Sequence, residues 1–194
     1  MDNGFRPSIR FISTNPFGKA LAEANPQAKI GLIPCAVGGS SISAWIPGAL
    51  DAATKTHPYD DMLRRMKLAR KDGVLKGIIW HQGEADRGPG PSEKYAANLT
   101  ELVARLRKDL DAPNVPFVAG ELGQLNEKNK DATEHFNTIL HGLTKEISNY
   151  GIAAASGLKD KGDNLHFDAT SAREMGKRFA ETMGELMTKN TKPK

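Results

Sequence analysis

The chain has 194 residues, 39% hydrophobic and 26% charged, and a net charge of +4. That length suits one domain with a sizeable core, and the composition excludes a disordered or collagen-like chain. No apolar run approaches the roughly 18 residues of a membrane helix, and the single cysteine, Cys35, excludes an internal disulfide framework.

The first residues, "MDNGFRPSIRFIST", carry no apolar core of a signal peptide, which leaves the compartment open. Basic residues alternate with acids in "DDMLRRMKLARKDG" and "ELVARLRKDLD", and the remainder gather in the tail "TKNTKPK". This is the pattern of solvated helix faces. With no nucleic-acid motif beside it, no nucleic-acid partner is expected.

In chain order, "NPFGKALAEANP" predicts a helix with Asn15 as cap, Pro16 at the first helical position and Pro26 beyond the end. "KIGLIPCAV" has the length and apolarity of a buried strand and runs into Gly38-Gly39, with Cys35 expected as a buried thiol. "YDDMLRRMKLARKDG" places Met62, Met66 and Ala69 on one helical face and stops at Gly73. "VLKGIIW" is a second strand, followed by the polar string "HQGEADRGPGP".

A long helix is predicted from Ser92, with Tyr95, Leu99, Leu102, Leu106 and Leu110 as its buried stripe. "VPFVAGEL" is a third strand, "DATEHFNTILHGLTKEISN" a helix and "GIAAASG" a fourth strand. A last helix begins near Asp168 and ends about Met187. Apolar strands alternating with amphipathic helices predict an α/β fold with a parallel sheet covered on both faces. Ligands of such sheets bind beyond the carboxyl ends of the strands. Three polar clusters fall at that edge: "GGSSISAW", "HQGEAD" and "GDNLHFD".

In "GDNLHFD", His166 has the chemistry of a proton shuttle, and Asp163 is placed to fix its tautomer. The competing reading is a turn at Asp163 and a helix cap at Asp168. The paired glycines of "GGSS" let backbone N–H groups approach a developing oxyanion, or else form a tight turn that Trp45 covers. "HQGEAD" concentrates His81, Gln82, Glu84 and Asp86 directly after a buried strand, where stability gains little from so many polar groups. His81 and Glu84 are conceivable metal ligands. No second histidine has matching spacing, since His135 and His141 lie six apart on a predicted helix.

"GLIPCAVGGSSISAW", "GIIWHQGEAD" and "GDNLHFDATSAREMGKRFAE", in this order and spacing, resemble the carbohydrate acetylesterases of the SGNH-hydrolase superfamily. The subgroup is carbohydrate esterase family 6, the acetylxylan esterase and sialate O-acetylesterase-like enzymes, and the resemblance runs from about Phe17 to Met187. It implies a three-layer α/β/α fold with a flavodoxin-like sheet, and one esterase domain over residues 1–194. It also implies serine-based hydrolysis of acetyl esters on sugars or polysaccharides such as acetylated xylan, with no metal or cofactor. By the same resemblance, His166 is the catalytic base and Asp163 its acid, with Glu84 a competing acid. Gly39 and Gln82 line the oxyanion hole, and Ser40, Trp45 and His81 shape the pocket of an acetylated carbohydrate. Neither a membrane nor a nucleic acid is an expected partner.

One departure stands out. The family's nucleophilic serine sits in a Gly-Gln-Ser-Asn motif after the first strand, and that motif does not occur in these 194 residues. The expectation is therefore an N-terminally truncated domain without its first, central strand. Ser8–Ile12 is a short β-like run that would partly fill the gap. Ser13, Ser40 and Ser41 are the candidate substitute nucleophiles, and a non-catalytic sugar-binding protein of the same fold is the rival reading.

Overall fold

The computed structural model describes residues 14–189. Three short parallel strands lie side by side in chain order: β1 (Ile78–Trp80), β2 (Phe117–Gly120) and β3 (Tyr150–Ala153). Ile79 registers against Val118, and Val118 against Gly151. Around the strands pack α1 (Thr14–Ala24), α2 (Pro58–Ala69), α3 (Pro91–Asp109), α4 (Lys130–Gly142) and α5 (Ala169–Lys189).

The alternation along β2 assigns the layers. Phe117 and Ala119 enter one apolar cluster with Trp80, Tyr150 and the buried faces of α2, α3 and α4. Val118 enters the other, with Phe17 and Leu21 of α1 and with Met175, Phe179, Met183 and Leu186 of α5. Right-handed crossovers that step the same way across a sheet leave their helices on one face. That accounts for α3 and α4 sharing a layer while α5, after the last strand, packs with α1 on the opposite face. The layered α/β fold expected from the sequence is present.

Helix α3 follows its predicted pattern closely. Pro91 sits at its start, Glu93 in its first turn and Arg107 and Lys108 in its last, each matching the helix dipole. Tyr95, Leu99, Leu102, Leu106 and Leu110 are all buried, and Val103 joins them. On the sheet face below, Phe117 stacks on Tyr150 with centroids 6.0 Å apart, and Trp45 meets Trp80 edge-on at 5.0 Å.

The first expected strand is where sequence and structure part. Residues 29–37 form no strand with the described residues, and Ile30, Leu32 and Ile33 remain 37%, 41% and 36% exposed. A strand needs a partner for its N–H and C=O groups, and among the described residues none lies alongside this segment. It is tied down in other ways: the Arg65 guanidinium of α2 donates to the Pro34 carbonyl, and Cys35 and Val37 pack on the core. Cys35 is accordingly half-buried rather than buried, and desolvation still raises its pKa. The Ser8–Ile12 run and Ser13 lie outside the described residues.

Smaller differences shorten the other elements. Only Ile78–Trp80 of "VLKGIIW" pairs, and Val74 is 77% exposed. The fourth expected strand pairs over Tyr150–Ala153 instead of 151–157. The helix predicted through residue 149 ends at Gly142 and gives way to a 3-10 turn over Leu143–Lys145.

The burial contrast sets a stability test. Phe117→Ala, at a fully buried position, should cost about 3–5 kcal/mol. Val74→Ser should change stability by no more than about 0.5 kcal/mol. Urea denaturation of both variants checks the pair.

Candidate active site

The loop between β3 and α5 is built by carboxylates collecting backbone N–H groups. Asp160 Oδ2 accepts from the N–H groups of Gly162 and Asn164, and Asp163 Oδ1 accepts from those of Leu165 and His166. An antiparallel bridge between Asp160 and Phe167 closes the loop. Asp168 caps α5 by accepting from the Ser171 N–H at 2.6 Å. The turn and the cap read from "GDNLHFD" are therefore both formed, and the aspartate that makes the turn also reaches the His166 ring.

That aspartate is Asp163. Its Oδ2 accepts from His166 Nδ1 at 2.7 Å, and Lys161 Nζ lies 3.1 Å from the same oxygen. Hydrogen bonds from the His166 N–H and ring hold its pKa well below the ordinary 3.8, against a weaker opposing effect of burial. With Nδ1 donating to the carboxylate, the Nε2 lone pair of His166 is left to accept a proton from elsewhere. Glu84, the competing acid, makes no recorded bond to His166 among the described residues.

His166 borders a cleft of about 170 Å³ that also takes in His81, Glu84, Arg87, Asn126 and Asn164. His81 extends from the end of β1. Its Nε2 donates to the Glu121 carbonyl at 3.1 Å, and its ring stacks on Phe167 with centroids 5.8 Å apart. The residue next to His166 is thus clamped against the end of the sheet. Gly83 cannot carry a side chain here: its φ is +151°, and a Cβ would collide with the Phe136 ring.

The "GGSS" turn is attached to this edge through Asp86, whose importance the sequence reading did not single out. Asp86 is 4% exposed and accepts from Ser41 Oγ at 2.7 Å, the Ile42 N–H at 2.9 Å and Gln82 Nε2 at 2.6 Å. Gln82 Nε2 also donates to the Ser40 carbonyl at 3.0 Å, while its Oε1 accepts from the Tyr95 hydroxyl at 2.9 Å. Burial pushes the Tyr95 pKa upward, which keeps that hydroxyl a donor. Both N–H groups of the Gln82 amide are engaged, so Gln82, expected in an oxyanion hole, here braces the turn. The available sequence signal was the crowding of polar groups after a buried strand.

Ser40 and Trp45 are also placed otherwise than expected. Ser40 is 3% exposed, donates to the Val37 carbonyl and accepts from Trp45 Nε1 at 3.1 Å. Trp45 is 7% exposed inside the core. Neither borders the His166 cleft, because the indole is needed against Trp80. Gly39 sits at φ +75° with open space where a Cβ would be, and no acceptor among the described residues takes its N–H.

Two tests follow from this geometry. Asp86→Ala should cost at least about 2 kcal/mol, since it strands three donors around a buried site. It should also release the Ile42 amide to fast hydrogen exchange. For Asp163 the depressed pKa fixes the sign: its contribution is fully present above 3.8 and is lost only as pH falls below 3.8 toward the lower folded value. In an NMR titration the Asp163 carboxyl should remain ionised at a pH where unperturbed aspartates are half protonated.

Residues 8–185 match the family described as "Carbohydrate esterase, sialic acid-specific acetylesterase" (SASA). A probable carbohydrate esterase of Arabidopsis thaliana is 32% identical over 160 residues, which cover 80% of this chain and 55% of that protein. The chain thus spans about half the length of that curated relative. Among solved structures, an Arabidopsis thaliana protein superimposes with a TM-score of 0.75 at 29% identity, over 87% of this chain and 66% of that one. A carbohydrate acetylesterase from Xanthomonas citri gives 0.71 at 23% identity, over 92% and 41%, a likeness of fold alone. With the family matched over nearly its whole length, the chain belongs to the SASA carbohydrate esterases.

Proposed function

We propose that this chain forms a carbohydrate O-acetylesterase domain in which His166 is the general base and Asp163 its orienting acid. The observation that carries the reading is the 2.7 Å bond from His166 Nδ1 to Asp163, at the rim of a cleft shared with His81 and Glu84. The substrate is an acetylated sugar or polysaccharide, with acetylated xylan as the type.

In the proposed reaction, His166 Nε2 removes the proton of a serine hydroxyl as its oxygen attacks the acetyl carbonyl. Asp163 stabilises the resulting imidazolium, and the Gly39 N–H, which no acceptor among the described residues takes, is assigned to the developing oxyanion. Collapse breaks the ester bond, His166 returns the proton to the departing sugar oxygen, and the acetyl group stays on the serine. Water, deprotonated by the same histidine, then attacks the acyl carbon, the bond to the serine oxygen breaks to release acetate, and the histidine returns the proton to the serine. Gln82 acts through the turn it braces rather than by touching the oxyanion.

The serine is the part of this scheme that the described residues do not supply. Ser40 is buried with both of its bonds inside the fold, and Ser41 is bound to Asp86. That, with the lack of Gly-Gln-Ser-Asn in the 194 residues, favours one second reading: a non-catalytic sugar-binding protein with the same cleft.

Hydrolysis of p-nitrophenyl acetate by the 194-residue chain decides between them. The first reading expects turnover that His166→Ala lowers by about 10²–10⁴-fold. Turnover no greater than buffer, with sugar binding retained in calorimetry, sinks the first reading for the 194-residue form and favours the second, leaving the family membership as it is.

A further inference from the structure

The His166 cleft is small. Its volume of about 170 Å³ falls below the roughly 300–1,000 Å³ usual for small-molecule sites. It accommodates an acetyl ester and little of the sugar that bears it. A second cleft, of about 580 Å³, opens at the same sheet edge and reaches the usual range.

The two clefts are built from the same two connections. After β2, Gly123, Leu125 and Asn126 border the first cleft, Glu121 and Gln124 border the second, and Leu122 borders both. After β3, residues 155–158 border the second cleft, and the continuation of that connection at residues 164–167 borders the first. The dividing wall is held firmly. Asn137 Oδ1 accepts from the Leu122 N–H at 2.9 Å, and its Nδ2 donates to the Leu122 carbonyl at 3.0 Å.

The chemistry of the second cleft is that of a hydroxyl-binding surface. Glu121 Oε1 accepts from His141 Nε2 at 2.6 Å and its Oε2 from the Ala155 N–H at 2.8 Å, which fixes one carboxylate in the wall. Gln124, Glu134, Thr138 and Ser156 are exposed around it. The nearby Arg178 donates to the carbonyls of Ala154 and Ser156 and pairs with Glu174 at 3.3 Å, so its charge is already engaged. Two carboxylates in the lining disfavour an anionic ligand and offer acceptors to neutral hydroxyls.

We propose that the second cleft is a distal sugar subsite, which makes the substrate a neutral oligosaccharide or polysaccharide whose chain crosses the Leu122 wall from the His166 cleft. The proposal rests on the carbohydrate reading above and deepens it.

Calorimetry on the 194-residue chain tests it with unacetylated probes, so no chemistry is needed: xylose, glucose and mannose against xylotetraose, cellotetraose and mannotetraose, with tri-galacturonate as the acidic control. At least one tetrasaccharide should bind about tenfold or more tighter than its monosaccharide, as two or three added hydrogen bonds allow. The double variant Gln124→Ala/Ser156→Ala should abolish that gain, His166→Ala should keep it, and tri-galacturonate should bind more weakly than the preferred neutral tetrasaccharide. Equal affinities for every monosaccharide–tetrasaccharide pair overturn the subsite. So does a gain that the double variant leaves intact, or tri-galacturonate binding as tightly as the neutral probe. Hydrolysis of p-nitrophenyl acetate by the same preparations reports on the esterase reading separately, because that ester has no sugar to seat in the second cleft.

Discussion

The Asp86 carboxylate is the joint on which the arrangement of this sheet edge depends. Carrying a carboxylate into a site only 4% exposed is costly unless donors surround it. Here three donors do: a serine hydroxyl, a backbone N–H and a side-chain amide. Two of them belong to the turn after the extended segment 29–37, and the third to the loop after β1. That segment has no strand pairing with the described residues, so among them no sheet ladder fixes the turn. Asp86 and Gln82 take over that task, which explains why hydrogen-bonding groups crowd the end of a buried strand.

A second joint of the same kind lies one strand over. Glu121 follows β2 directly, and its N–H donates to the Ala153 carbonyl at 2.9 Å, continuing the ladder by one bond. Its side chain then ties α4, through His141, to the end of β3, through the Ala155 N–H. The Glu121 carbonyl meanwhile holds His81. One residue therefore links the ends of all three strands and lines the second cleft. Charge-assisted bonds suit this position, since they are shorter and stronger than neutral ones and fix geometry where the ladder ends.

How much of this the sequence revealed depended on the separation of the partners. Asp163 and His166 lie three residues apart in one loop, so their pairing was within reach of a local reading, although a turn-and-cap reading and Glu84 as the acid competed with it. The α3 stripe was legible, because a period of 3.6 maps one-to-one onto a buried face. The bonds that Asp86 accepts from Ser41 and Ile42 bridge about forty residues of chain, and nothing in either segment names the other. Segment 29–37 reads as a strand by every local measure. Pairing, however, is a property of two segments, and local apolarity cannot supply the second. Trp45 shows the same limit: an indole beside a polar turn is compatible with a pocket wall or with the core, and only the position of Trp80 decides.

The two joints also divide the chemistry between braced and unbraced parts. His166 stands on a loop whose shape is set internally, by Asp160 and Asp163 gathering four N–H groups, and externally by Phe167 stacked on His81. That holds His166 at a set position relative to the strand ends. Elsewhere in the cleft lining, Asn126 Oδ1 accepts from the Lys128 N–H at 3.0 Å, while the Glu84 and Arg87 side chains make no hydrogen bond to the described residues. In the proposed mechanism, proton transfer falls to the braced His166, and Glu84 and Arg87 are left to meet the ligand. The bracing of the histidine loop is a consequence of where the carboxylates sit.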